Sequence, residues 1–222
     1  FITAVAESYF TITKKDSLSL QLEGHGREDI GAKLSLDRTV GWFTSIYPVV
    51  LRGITGDKEN DLRLSKSETG RVPNKGVGFN VLRYIEGERS AGIKPGKAAQ
   101  IGFNYLGEMD IESGSDEFFK AVKLNTGREI AKENIFGPGI SINSVVTGGK
   151  LYVDIEYSVD EYQEKDMTAF AASLTKSLVE LAEYIGEERN LKVASDYGET
   201  VWSEEDFSRK QNEFKQRGES IE

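Results

Sequence analysis

The stretch from Ile140 to Tyr157 constrains the fold more than any other part of the chain. Ile140, Ile142 and Val145-Val146 come before Thr147-Gly148-Gly149-Lys150, and Leu151, Val153, Ile155 and Tyr157 come after it. Apolar groups at alternate positions put one face of a strand into a core. Two glycines between such runs supply the positive φ that a tight turn needs. A β-hairpin is therefore expected here, and the rest of the chain must cover its apolar face.

The remaining segments alternate between two periods. Ile2, Val5, Ala6, Tyr9 and Phe10 are spaced as on one face of a helix over residues 1–12. Leu18, Leu20 and Leu22 alternate with Ser19 and Gln21, which predicts a half-buried strand ending in a charged turn, Glu23 to Asp29. Val40 to Leu51 reads as a strand, with Pro48 marking an edge, a bulge or its end. Residues 52–71 suit a helix or a mobile segment, 70–78 a loop, and Val77 to Ile85 either a helix or a strand. Gln100 to Leu106 reads as a buried strand, and 107–139 as loop-rich. A long amphipathic helix is expected over Glu161 to Ile185, carrying Phe170, Leu174, Leu178 and Leu181, with Gly186 as its stop. In the polar tail, Ser203-Glu204-Glu205-Asp206 resembles a capping box, and Phe207 and Phe214 share one face of the helix it opens. No internal repeat is visible. Together these elements predict an α/β fold with a mixed β-sheet packed with helices.

Composition removes several functions. The 222 residues contain no cysteine, which excludes disulfides, thiolate catalysis and cysteine metal sites. A single histidine excludes any metal site needing two from this chain. With 28 basic and 37 acidic side chains, the net charge of −9 argues against nucleic acid as a partner. No apolar run approaches the roughly 18 residues of a membrane span. The start, Phe1 to Ala6, lacks both a Met and a basic flank, and reads as a cut through a longer polypeptide rather than a signal peptide. The absence of cysteine fits a cytoplasmic location.

Four places carry candidate chemistry. Glu23 to Asp29 gathers ionisable groups at a strand end with two glycines that allow close approach; it is either a general-base site or a solvated turn. Gly76-x-Gly78 is half of a phosphate-loop pattern without the rest, so an ordinary loop is favoured, although Lys75 and Arg71 remain candidates to meet a phosphate. Asn104 and Tyr105 offer an amide and a hydroxyl to polarise a carbonyl, or form a buried polar pair satisfied by backbone. Trp42, Phe43 and Tyr47 read as core aromatics. The acid-rich tail reads as a solvated surface.

Four segments in order then resemble one family. They are Glu23-Gly24-His25-Gly26-Arg27-Glu28, Arg38-Thr39-Val40-Gly41-Trp42-Phe43-Thr44-Ser45-Ile46-Tyr47-Pro48, Val72-Pro73-Asn74-Lys75-Gly76-Val77-Gly78-Phe79 and Phe103-Asn104-Tyr105-Leu106-Gly107. The chain is similar over residues 1–195 to the C-terminal half, or second lobe, of epimerization domains of nonribosomal peptide synthetases, a branch of the condensation-domain superfamily. Residues 196–222 are expected to be a polar tail beyond it, a candidate linker or docking helix. Phe79-Asn80 stands where relatives often have Tyr-Gly, and Glu108-Met109-Asp110 where Gln-Phe-Asp is common.

The resemblance implies a chloramphenicol-acetyltransferase-like lobe facing an N-terminal lobe of the same domain, which carries a histidine-pair motif this chain lacks. It implies a cofactor-independent isomerase of antibiotic biosynthesis that produces D-amino acid residues. The substrate is an aminoacyl or peptidyl thioester on the 4'-phosphopantetheine arm of a partner carrier protein. Glu23 matches the catalytic glutamate, and its partial burial would raise its pKa toward neutrality. Arg27 is expected to orient Glu23 or offset its charge, Asn104 to hold the thioester or amide, and Tyr105 to donate to the enolate or relay a proton. His25 is expected either to transfer protons or to support the turn. No metal is implied. Domains of this family often end a synthetase polypeptide, so the tail is a candidate dock for a downstream synthetase. Two alternatives stand: a condensation-type acyltransferase lobe, and a non-catalytic fragment that only binds the carrier protein.

Overall fold

The computed structural model describes residues 1–29, 31, 36, 38–85, 99–109, 127, 131, 137–186, 191–197 and 203–217. Helix α1 spans Ile2–Thr13, followed by β1 (Ser17–Gly24), β2 (Ser45–Arg52), α2 (Lys58–Gly70) and α3 (Val77–Tyr84). Strands β3 (Ile101–Glu108), β4 (Ile140–Thr147) and β5 (Lys150–Tyr157) precede α4 (Glu164–Gly186) and α5 (Glu204–Gln216). Short 3-10 turns sit at Pro73–Gly76 and Ala194–Tyr197. Among the described residues, no helix is long and apolar enough to cross a membrane.

The five strands form one mixed sheet in the order β2-β1-β3-β4-β5. The two central pairings, β1 with β3 and β3 with β4, are parallel, and the two outer ones are antiparallel. The expected hairpin is β4–β5, turning at Gly148 and Gly149, both with positive φ. Leu18, Leu20 and Leu22 lie in register with Leu51, Val49 and Tyr47 of β2, and Leu20 and Leu22 with Ile101 and Phe103 of β3. These residues form one buried layer with Ile140 and Ile142, closed by Met167, Phe170, Leu174 and Leu181 of α4. Helix α1 packs against α4, α2 and β1, so it is buried on nearly every side from Thr3 to Tyr9. Its small residues, Ala4, Ala6 and Ser8, make that close fit possible.

Several expectations shift. The second strand begins at Ser45, not Val40; residues 38–44 are irregular, and Val40 and Trp42 are 101% and 92% exposed, so Trp42 is not a core residue. Pro48 lies on an edge strand, where a missing N–H costs no ladder bond. Val77–Tyr84 is a helix. Helix α4 starts at Glu164 rather than Glu161. Most of the loop-rich stretch expected over 107–139 lies outside the described residues. Ser203 caps α5, its Oγ accepting from the Asp206 N–H at 3.0 Å. Phe207 is buried and Phe214 half-buried, so the tail is not merely a solvated surface. The 3-10 turn at 194–197 is pinned to α2, with Lys66 Nζ 2.5 Å from Asp196 Oδ2.

One buried carboxylate is satisfied and another is not. Asp61 is 1% exposed, and accepts from the Thr55 N–H (2.9 Å), the Thr55 hydroxyl (3.0 Å) and the Gly56 N–H (2.8 Å), which fixes the entry into α2. Glu7 of α1 is also buried, but among the described residues its Oε1 has no hydrogen-bond partner. Burial pushes the Glu7 carboxyl above the ordinary glutamate range; Asp61 and Glu180 add to this, while the Ser177 hydroxyl and Lys58 oppose it. A carboxyl raised by folding binds its proton more tightly in the folded chain. Stability is therefore greatest below the unfolded value and falls as pH rises through the window up to the folded one. Glu7→Gln is expected to remove that decline, leaving the variant more stable than wild type above the window. Denaturant unfolding from about pH 4 to about pH 8 checks this, and an unchanged pH slope would contradict it.

Candidate active site

Three of the four motif segments meet at the C-terminal end of β1. Gly24 is its last residue, in register with Ser45. A Cβ on Gly24 would lie 2.9 Å from Ser45 Oγ, 3.3 Å from the Lys75 carbonyl oxygen and 3.5 Å from the Tyr47 ring. Gly26 has φ +67, and a Cβ there would lie 1.6 Å from the Phe43 carbonyl oxygen. Gly76 has φ +82, and its Cβ would fall 2.1 Å from the Tyr47 ring. The glycines thus let three turns touch backbone to backbone and backbone to ring. No side chain fits between them.

Polar contacts lock the same junction. The Arg27 guanidinium donates to the carbonyls of Leu36 and Thr39, the latter at 2.9 Å, and stacks 4.2 Å from the Phe43 ring centre. It clasps the carbonyls of Leu36 and Thr39, and among the described residues it makes no hydrogen bond or ion pair with Glu23. No contact in the described residues lets Arg27 orient Glu23 directly. His25 Nδ1 accepts from the Arg27 N–H at 3.0 Å, which leaves Nε2 to carry the proton of the neutral ring. Nε2 lies 2.9 Å from Glu28 Oε1, and Glu28 Oε2 lies 3.4 Å from Lys75 Nζ. Nδ1 is hydrogen-bonded within the turn, whereas Nε2 is near Glu28 Oε1 without hydrogen-bonding geometry. Burial pushes the Tyr47 hydroxyl above its ordinary range, and the Glu28 carboxylate adds to that.

Glu28 was not singled out by the sequence, although it lies three residues after His25 in the same motif. Its side chain is 16% exposed and bridges two turns that lie far apart in the chain. Asn74 and Lys75 adopt left-handed backbone, φ 46 and 45, at a cost of about 1–2 kcal/mol for a residue with a side chain. The contacts to Gly24 and Glu28 hold that turn in place. Arg71 pairs with Glu68 at 3.3 Å. Beside the junction, an apolar cleft of about 470 Å³ opens between β2 and α3, walled by Pro48, Val50, Val72, Phe79 and Leu82. Its walls come from separate segments, so no local pattern announced it.

The proton-transfer candidates divide between the two faces of the sheet. Glu23 follows the buried Leu22 and points to the face opposite the helices. It is exposed rather than partly buried as expected. Asn104 follows Phe103, and Leu22 pairs with Phe103, so Glu23 and Asn104 lie side by side on that open face. Tyr105 alternates to the other face, with its ring 5.3 Å from that of Phe1, which is also 5.8 Å from Phe103. Asn104 is half-buried and Tyr105 is 46% exposed, so they are not a buried pair. A bulge follows at once: Tyr105 pairs with Ser144 but Glu108 with Val146, and Gly107 takes up φ +83. Such a bulge re-aims the strand end. Among the described residues, no group of three or more His, Asp or Glu side chains could hold a metal ion.

The condensation-domain profile matches residues 10–196. The chain belongs to the condensation-domain family. Among relatives, it is 36% identical over 200 residues to bacitracin synthase 3 of Bacillus licheniformis, covering 89% of this chain and 3% of that protein. It is 32% identical over 179 residues to gramicidin S synthase 1 of Brevibacillus brevis, covering 76% and 16%. The epimerization domain from the third module of tyrocidine synthetase B superposes with a TM-score of 0.72 at 30% identity, over 82% of this chain and 40% of that one. PapA2 acyl transferase, at 14% identity and a TM-score of 0.53, shares the fold alone. The five-stranded mixed sheet with its helices is thus the chloramphenicol-acetyltransferase-like lobe. The chain spans only a small fraction of the curated synthetases it matches.

The junction predicts a contrast between two glycines of this condensation-family lobe that both have positive φ. Gly31→Ala, at φ +76 in open space, is expected to cost about 1 kcal/mol. Gly26→Ala carries the same backbone strain plus the overlap with Phe43, and is expected to cost about 3 kcal/mol or more. Denaturant unfolding of the two variants checks this, and equal losses would contradict the close packing.

Proposed function

We propose that this lobe supplies one face of an epimerase site, which inverts the α-carbon of an aminoacyl or peptidyl thioester on the phosphopantetheine arm of a carrier protein. The observation that carries the reading is the placement of Glu23. It stands at the end of β1 on the open face, beside Asn104, with no hydrogen bond or ion pair among the described residues. A carboxylate left unpartnered by the turn that holds it is available to a substrate proton.

In this reading Glu23 accepts the Cα proton, and the C–H electron pair moves into the thioester carbonyl to give an enolate. The Asn104 amide donates to the enolate oxygen. A proton delivered to the opposite face, from a donor on the facing lobe, restores the thioester with inverted configuration. Proton transfer from Glu23 to solvent, and from solvent to the facing donor, resets the site. Substrate binding supplies the desolvation of Glu23 that the lobe by itself does not. Tyr105, on the other face of β3, packs rather than transfers protons. The kinship with an epimerization domain at 30% identity supports this reading over peptide-bond formation.

The test uses the complete two-lobe domain with a loaded carrier protein. Deuterium wash-in at Cα and product chirality are measured together. Glu23→Gln is expected to slow exchange about 10²–10⁴-fold, the usual contribution of one acid–base group. Exchange near the wild-type rate would overturn the assignment. Amide-bond formation without inversion would favour a condensation-type acyltransferase.

A further inference from the structure

The open face of the sheet carries more polar groups level with Glu23. The register aligns Asn104 of β3 with Asn143 of β4, and Asn143 with Asp154 of β5. Glu23 lies one step beyond the Leu22–Phe103 pair, next to Asn104. A single row therefore crosses four strands: Glu23, Asn104, Asn143, Asp154. All four alternate with residues of the helix-covered layer, so all four belong to the opposite face. Among the described residues, none of the four side chains makes a hydrogen bond or an ion pair. Asn104 and Asn143 are half-buried, a setting in which amides ordinarily find partners.

The chemistry of the row suits a peptide backbone. A carboxamide offers both a donor and an acceptor, and so can pair with the C=O and N–H of a peptide bond at once. Strands lie about 4.8 Å apart, which puts Asn143 about 10 Å from Glu23 across the sheet. An extended chain advances about 3.5 Å per residue. With its α-carbon at Glu23, a single aminoacyl group ends near Asn104 and leaves Asn143 untouched. A peptidyl group of about three residues reaches Asn143, and a longer one ends near the Asp154 carboxylate, which accepts from an N–H or an ammonium.

We infer that Asn143 is a subsite for the peptide upstream of the inverting residue, and that the substrate class is therefore a peptidyl thioester. This rests on the proposed role of Glu23, so the experiment separates the two. In the complete domain, carriers bear the same C-terminal residue either alone or at the end of a tripeptide. Asn143→Ala is expected to slow Cα exchange of the tripeptidyl carrier about tenfold, the worth of one or two hydrogen bonds, and to leave the aminoacyl carrier within about twofold. Asn143→Thr, a strong strand former, gives the same split without weakening β4. Carriers bearing stable amide analogues of both loads give a binding readout that holds whatever reaction follows; Asn143→Ala weakens only the tripeptidyl one. Equal effects on both loads, or none on either, would overturn the subsite. Undiminished exchange in Glu23→Gln would instead overturn the proton-transfer reading, with the binding split still deciding the subsite.

Discussion

The contact on which the site depends is the approach of the Gly26 backbone to the Phe43 carbonyl. A single methyl at Gly26 would overlap that oxygen, so the turn after β1 and the loop before β2 can meet only while residue 26 lacks a side chain. Everything nearby follows from that meeting. Arg27 reaches the Leu36 and Thr39 carbonyls because the loop is already against the turn. His25 is then directed back at Glu28, and Glu28 gathers Lys75 from the third turn. Gly76 completes the assembly by letting the Tyr47 ring lie against the chain. Three segments distant in sequence become one rigid end for β1, and Glu23 is the side chain that this end presents.

The network also explains which ionisable groups are spent on structure. Arg27, His25, Glu28 and Lys75 are each occupied by a neighbour in the junction. Glu23 is not. Asp29 accepts from the Gly31 N–H at 2.8 Å, and a carboxylate without such a partner is what the proposed proton transfer requires. The two faces of β3 add a second division. Asn104 shares the open face with Glu23, while Tyr105 joins Phe1 and Phe103 on the helix side.

Much of the fold was legible because its elements are strongly periodic. The β4–β5 hairpin, the Leu18-Leu20-Leu22 strand and the long helix α4 each bury one face, and alternation or three-four spacing exposes that fact directly. The 38–44 segment misleads because its β-branched and aromatic residues look like a strand. They serve instead a loop held by Arg27 and Gly26, a constraint that lies in other segments. Glu23 and Asn104 were legible as candidates from their motifs. Their neighbourhood was not, since it depends on the parallel pairing of β1 and β3 across a long stretch of chain. The division of Asn104 from Tyr105 follows from strand alternation, which stays regular through Tyr105 before the bulge. Glu28 and the apolar cleft by β2 arise purely from tertiary contact.

If the three turns form one unit behind Glu23, a disturbance in one of them must reach the others. Amide hydrogen exchange in Gly76→Ala reads this out, because that substitution strikes the Tyr47 ring and touches neither Gly26 nor His25. Protection of the Arg27 N–H, held by His25 Nδ1, is expected to fall sharply, while β4 and β5 amides keep theirs. Unchanged protection at Arg27, or an equal loss throughout the sheet, would contradict the single unit.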